Sequence, residues 1–150
     1  MPETKLITPE IPDQGRVFDE DEAEWVSGWQ NFFRRQKVVV FVDKIVFNAT
    51  TTGYISSSFK CAPYRFAELL LEVVKSGAPT NITVTCYSSD DNITFYEFVS
   101  NTMIPQTFTA SAKTSMYDRV HTSYFRVEVV VTGTTAVNTF TCTAKVSFAS

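Results

Sequence analysis

From residue 38 to the end of the chain, apolar residues recur at every second position. The clearest case is Thr139 to Phe148. Phe140, Cys142, Ala144, Val146 and Phe148 share one face, while Thr141, Thr143, Lys145 and Ser147 take the other. A period of two is the repeat of a strand with one face in a core and one in water. Asn81 to Tyr87 repeats it, with Ile82, Val84 and Cys86 inward and Thr83 and Thr85 outward. Tyr124 to Val131 sets Phe125, Val127, Val129 and Val131 against Arg126 and Glu128.

Weaker segments fill in the rest. Val38 to Val42 is an apolar run continued by Ile45 to Phe47, and Thr50-Thr51-Thr52-Gly53 reads as a turn. Tyr54 to Lys60 is Ser-rich and strand-like. Phe66 to Val74 places Leu69, Leu71 and Val73 on one face, although its Ala, Glu and Leu residues also suit a helix. Ser88 to Asn92 is a polar turn, with Ile93 to Val99 as its hairpin partner and Phe95 pointing inward. Gln106 to Ala112 is a further Thr-rich strand, and Ser115 to Arg119 reads as loop. About eight strands with regular turn signals predict an all-β fold, an antiparallel β-sandwich of the jelly-roll type.

The N-terminal segment has a different character. Residues 1–24 hold eight of the sixteen acidic residues and only Lys5 and Arg16 as bases, a charge of −6, which leaves +3 for the remainder of a chain whose total is −3. Acidic, Pro-containing and poor in apolar residues, this stretch is expected to be an extended arm without a core of its own. Glu22 to Gln36 follows, where Trp25, Trp29, Phe32 and Phe33 fall at i, i+4, i+7 and i+8. That spacing predicts a short amphipathic helix, with Arg34 and Arg35 closing its C-terminal end. The expected organisation is therefore an arm and helix over 1–37 and a β-sandwich over 38–150. Trp25, Trp29, Phe32, Phe33, Arg34 and Arg35 are the candidate partner interface, the alternative being that the aromatic face covers its own β-domain.

Composition narrows the function classes. A negative total charge argues against binding driven by phosphate neutralisation, so no nucleic-acid partner is expected. No run of about 18 apolar residues exists, so no membrane-spanning helix is expected. The three cysteines, Cys61, Cys86 and Cys142, form no CxxC pair. An odd count with no signal peptide predicts reduced thiols in a protein made in a cytoplasm, with a Cys86–Cys142 bridge open if those strands are neighbours. The sequons at Asn48, Asn81 and Asn92 fit a chain in which Ser and Thr exceed a fifth of all residues. The single histidine, His121, sits in a loop-like stretch and has no nucleophile and acid beside it in sequence. Glu68, Glu72, Glu97 and Glu128 fall on outward strand faces, where salt-bridged pairing is expected rather than a glycosidase pair. Asp90-Asp91-Asn92 lacks the oxygen series of a calcium loop and reads as a hairpin turn. No catalytic, metal or cofactor site is expected, and the protein is read as a non-enzyme. Tyr87 and Tyr96, on outward positions, are the candidates for stacking on a sugar.

Ser88-Ser89-Asp90-Asp91-Asn92-Ile93-Thr94-Phe95-Tyr96 resembles the S-x-D-G-x-T-W hairpin of small β-sandwich structural proteins of tailed bacteriophages. Ala67 to Val74 followed by Ser76-Gly77-Ala78-Pro79-Thr80 and Ile82-Thr83-Val84 is similar to their strand–SGT–strand element. Ser123-Tyr124-Phe125-Arg126-Val127-Glu128-Val129 resembles their R-Y-V-R-V-x-V strand, and the likeness runs from Phe66 to Phe148. In this chain Asp91-Asn92 replaces a single Gly, and Phe95 stands where Trp is usual. The same elements occur in discoidin-like carbohydrate-binding sandwiches. The resemblance implies a virion structural protein of the capsid decoration (cement) type. Such a protein would be made in the bacterial host cytoplasm and bind the major capsid protein on the capsid surface, as a homotrimer. The alternatives are a carbohydrate-binding module of a tail or adhesin, or a minor head, neck or tail protein.

Overall fold

A computed structural model describes residues 16–19, 24–27, 36–98 and 103–150. They fall into two units that divide between Gln36 and Lys37. In the N-terminal unit, β1 (Arg16–Asp19) and β2 (Glu24–Ser27) form an antiparallel hairpin, with Val17 opposite Val26 and Phe18 opposite Trp25. The helix expected over Glu22 to Gln36 is thus corrected at Glu24–Ser27, which is strand. Trp25 and Val26 are good strand formers, and the segment pairs in register with Arg16–Asp19. Gln36 also belongs to a strand. Trp29, Phe32, Phe33, Arg34 and Arg35 lie outside the described residues.

The second unit is built of ten strands. They are β3 (Gln36–Phe47), β4 (Gly53–Ile55), β5 (Phe59–Lys60), β6 (Phe66–Ser76), β7 (Asn81–Ser89), β8 (Tyr96–Glu97), β9 (Gln106–Phe108), β10 (Ala112–Arg119), β11 (Tyr124–Thr132) and β12 (Thr139–Ala149). One sheet has the order β10-β6-β12-β3. The other runs β9-β7-β11-β4, with β5 also paired to β11 and β8 to β7. The central ladders are antiparallel, with Leu71 opposite Ala144 in one sheet and Val127 opposite Cys86 in the other. No helix occurs among the described residues.

The alternation read from the sequence is the alternation of burial. Phe140, Cys142, Ala144, Val146 and Phe148 of β12 are fully enclosed, as are Phe125, Val127 and Val129 of β11. Phe66 to Val74 is strand rather than helix, with Leu69, Leu71 and Val73 buried. The buried faces of both sheets feed one core. Its centre is aromatic. Phe125 and Phe148 meet edge to face at 5.5 Å, and Phe41 touches both, at 5.6 and 6.3 Å. Phe59 and Tyr64 pack on Phe148, and Phe98 packs on Phe125.

Three local features depart from the plain pattern. In β3 the alternation breaks, with Phe41 and Val42 buried in succession and Lys44 at φ 48°. The Gln106 to Ala112 segment is two strands. Gln106–Phe108 pairs with β7, and Ala112 begins β10 in the other sheet. The crossing is held by Lys75, whose Nζ donates to the Thr109 carbonyl at 2.8 Å and whose backbone N–H donates to Ser111 Oγ at 2.9 Å. Ser115 to Arg119, expected as loop, is the second half of β10. Its outward Lys113, Ser115, Tyr117 and Arg119 and half-buried Thr114 and Met116 make a polar edge strand with little apolar signal.

Two substitutions probe this packing. Phe148→Ala should cost about 3–5 kcal/mol in urea unfolding, because it empties the centre of the core. Gly133 has φ 71°, and a Cβ there would collide with Thr80, 2.8 Å from its backbone nitrogen. Gly133→Ala should therefore destabilise by about 1–3 kcal/mol, whereas Ala136→Gly in the same exposed turn region should cost well under that.

Candidate interaction surfaces

The outward residues of the two sheets differ in chemistry. On the β7/β11 sheet the outward positions of β7 are Thr83, Thr85 and Tyr87, answered across the ladder by Val130, Glu128 and Arg126. Thr83 and Thr107 share a hydroxyl hydrogen bond at 2.9 Å. The Arg126 guanidinium lies 4.0 Å from the centre of the Phe95 ring and 5.4 Å from that of Tyr87. A guanidinium between two rings is held by cation–π attraction and covers apolar surface with its own stem. Phe95 is therefore on the outside of the sheet under Arg126, not in the core, and Phe98 is the residue of this segment that turns inward. The hairpin strand expected over Ile93 to Val99 is only Tyr96–Glu97, because the Ile93 and Thr94 N–H groups are taken by Asp91. The Tyr87 pKa is raised, chiefly by a hydrogen bond with Glu128, then by desolvation and by the negative charges of Glu128 and Glu97. Tyr87 is thus committed at both ends: its hydroxyl to Glu128 and its ring to Arg126. Of the two candidate sugar platforms, Tyr96 alone stands well out, at 68% exposed.

The Ser88 to Asn92 turn is held by its own side chains and tied to Ser58, whose hydroxyl donates to Asn92 Oδ1 at 2.6 Å. Asp91 Oδ1 accepts the backbone N–H groups of Ile93 and Thr94, each at 2.9 Å, and the Ser89 hydroxyl at 3.0 Å. Ser89 Oγ in turn accepts the Asn92 N–H at 3.0 Å. Asn92 takes the left-handed conformation at φ 61°. The donors on Asp91, Thr94 first, hold its carboxyl below the ordinary aspartate range. Asp91 Oδ1 and Ser89 Oγ thus hold the turn, a role that suits Asp and Ser there. Among the described residues, no group of three or more His, Cys, Asp and Glu side chains is placed to hold a metal ion, and no helix is long and apolar enough to cross a membrane. His121 is exposed in the link between β10 and β11.

The β6 sheet presents a different outer surface. Val38, Val40 and Val46 of β3 and Val74 of β6 are each 47–55% exposed, Phe66 is exposed at the start of β6 with Arg119 over its ring, and Leu70 is half-buried. A shallow groove of about 420 Å³ runs over this face, lined by Leu70, Glu72, Lys113, Ser115, Thr143 and Lys145. Lys113 Nζ lies 3.8 Å from Glu72, a solvent-exposed pair of the kind expected for these strand-borne acids. Glu68 and Glu97 are exposed and Glu128 is half-buried. The sequence identifies these acids as outward, but not the row of half-exposed valines. Their signal is present in β3, where Val38 and Val40 lie on the face opposite to Val39 and Phe41.

All three cysteines are free and buried. Cys86 and Cys142 lie on β7 and β12, in different sheets, so the pairing left open by the sequence is not made. Burial pushes the Cys86 and Cys142 thiols up to about 12 and the Cys61 thiol to about 11. The unfolded thiols ionise near 9.0 while the folded ones stay protonated, so deprotonation favours the unfolded chain once the pH exceeds 9.0. The thiol contribution to stability is complete below pH 9.0 and is lost as the pH rises through about 11–12. Cys142→Ala should flatten part of this alkaline slope in denaturation measured from neutral to high pH. At neutral pH the native thiols should react with an aromatic disulfide reagent only after unfolding; rapid native labelling would contradict their burial.

No known protein family and no curated protein matches the sequence. Among solved structures, the crystal structure of the PBSX exported protein XepA matches 90% of this chain and 44% of its own, with a TM-score of 0.55 at 12% identity. The SPBc2 prophage-derived protein YomS matches 77% of this chain and 93% of its own, with a TM-score of 0.44 at 15% identity. The infectious bursal disease virus VP2 subviral particle matches 77% and 33%, with a TM-score of 0.48 at 12% identity. The chain spans under half the length of XepA, and what it shares with XepA at that identity is the fold.

Proposed function

We propose that this protein is a bacteriophage virion structural protein of the capsid decoration type: a non-enzymatic jelly-roll sandwich, made in the host cytoplasm, that binds the outside of the head. The observation that carries the reading is the fold shared with XepA, a phage-derived protein, over 90% of this chain. The sheet orders β10-β6-β12-β3 and β9-β7-β11-β4 draw alternately from the chain, as two interleaved Greek keys do, which supports the jelly-roll description. The sequence resemblance from Phe66 to Phe148 points to the same class.

The physical task of such a protein is to bind an assembled shell and not its dissociated subunits. Each bound copy then stabilises the shell by linkage, about 2.7 kcal/mol per site when free protein exceeds its dissociation constant a hundredfold. A closed core suits that task, because a rigid domain loses little conformational freedom on docking. The acidic residues 1–24 and the Trp25, Trp29, Phe32 and Phe33 segment are the proposed contact to the major capsid protein. An extended segment can cover a long path on a partner.

Purified protein added to undecorated heads of its own phage should bind in many copies per particle and raise the temperature at which the shell opens. Deleting Met1 to Gln36 should abolish binding while the remaining unit keeps its β-sheet spectrum. Full occupancy by the truncated protein would remove the N-terminal segment from the reading. Failure of the intact chain to bind any head, or a copy number of a few per virion, would remove the decoration role.

A further inference from the structure

We propose that the outer edge of β3, over residues 36–42, is a self-association site at which β3 of a second copy of this chain adds as an antiparallel strand. β3 stands last in the order β10-β6-β12-β3, and among the described residues no strand pairs with its far side. An edge strand offers a row of N–H and C=O groups to any other strand, and proteins that stay single blunt such edges with brevity, charge or a bulge. The other described edges are blunted in this way. β9 and β4 have three residues each and β5 has two. β10 is longer but carries Lys113 and Arg119 exposed along it. β3 has twelve residues, and its second half is interrupted by two successive buried residues, Phe41 and Val42, by exposed Asp43, and by Lys44 at φ 48°. Residues 38–40 carry none of these devices and instead leave Val38 and Val40 about half-exposed.

The space beside this stretch is open. A slot of about 170 Å³ lies between Val39, Val40 and Phe41 on one side and Tyr54, Ser57 and Phe59 on the other. The facing sheet is ragged here, because residues 56–58 separate β4 from β5. A strand added to β3 would send alternate side chains toward this slot and outward beside Val38 and Val40. The residues of the edge say which strand fits. Val38-Val39-Val40 reads the same in both directions. A second β3, turned about a two-fold axis that passes through the Val39 position perpendicular to the sheet, therefore sets Val38 against Val40 twice on the outer face. It also sets Val39 against its own copy on the slot side. The same residues serve both copies, as a two-fold contact requires. β-branched residues directly opposite one another stabilise an antiparallel ladder. In this register Lys37 falls opposite Phe41, and Asp43 and Lys44 lie beyond the ladder, so no like charges meet. The break at Phe41 and Val42 limits the ladder to about seven residues, or roughly 24 Å. So short a contact buries less than a standard interface, and the dimer is expected to depend on concentration. The assembly expected is a dimer, where the family resemblance implies a trimer.

The test uses the full chain and sedimentation equilibrium from low to high micromolar concentration. The natural protein should pass from monomer to dimer across that range. Val38→Lys with Val40→Lys places lysine against lysine in both outer pairs and should weaken self-association about tenfold or more. Val38→Glu with Val40→Glu should do the same, and the two variants mixed in equal amounts should pair with each other. Val38→Lys with Val40→Glu places lysine against glutamate in both pairs, so it should dimerise about tenfold more tightly than either like-charge variant. That rescue requires Val38 to face Val40 and no other register supplies it. Both positions are exposed, so every variant should keep the native near-ultraviolet spectrum. A natural chain that stays monomeric overturns the proposal. So do like-charge variants that self-associate as the natural chain does, like-charge variants that fail to pair when mixed, or a lysine–glutamate variant as weak as they are. A monomeric natural chain that loses head binding on Val38→Lys with Val40→Lys would give this edge to a strand of the shell protein, and also overturns it. The proposal does not rest on the virion reading: a dimer that binds no phage head upholds this edge and defeats that function.

Discussion

The contact between Phe125 and Phe148 is the point on which the β-domain depends. One ring comes from the middle strand of each sheet, and they meet edge to face at 5.5 Å. Phe41, Phe59, Tyr64 and Phe98 gather on this pair from four other places in the chain. Aromatic side chains bury large areas and prefer tilted or edge-on contacts, so the cluster both supplies burial and fixes how the sheets face each other. Strands far apart in sequence are thereby tied to one centre. Phe41 stands in β3 and Phe148 at the end of β12, yet their rings are 6.3 Å apart.

A core closed in this way frees the outer surfaces for other uses. On the β7/β11 side, Arg126 lies against Phe95 and Tyr87, while Val130, Ile55 and Tyr96 stay exposed. The β6 side sets Leu70 among Glu68, Glu72, Ser115 and Lys145, so its outward face is mixed in charge. The virion reading leans on the fold shared with XepA.

Where core burial sets the alternation, the sequence is readable. Phe140 to Phe148 and Ile82 to Cys86 face a dry core on one side and solvent on the other, so hydropathy alone gives their orientation. Where burial is weak, hydropathy misleads. Ser115 to Arg119 belongs to an edge strand whose inward residues are only half-buried, and Met116 is its one inward apolar residue. Alternation assigns Phe95 to the core, but attraction to Arg126 holds it outside, and that depends on a strand thirty residues away. Glu24–Ser27 shows the limit of periodicity. A four-residue spacing of aromatics fits a helix, while the hairpin partner Arg16–Asp19 that decides the matter lies outside the window. The outer valines of β3 and Val74 of β6 are visible as residues, and their exposure follows from lying on the face opposite to the core.

The most direct test of the central contact is a double-mutant cycle on Phe125→Leu and Phe148→Leu, read by urea unfolding. Direct contact between the two rings predicts that the double variant is more stable than the sum of the single losses implies, by about 0.5–1.5 kcal/mol. Strict additivity would contradict the central role of this pair, because it would mean that the two rings do not hold the sheets together.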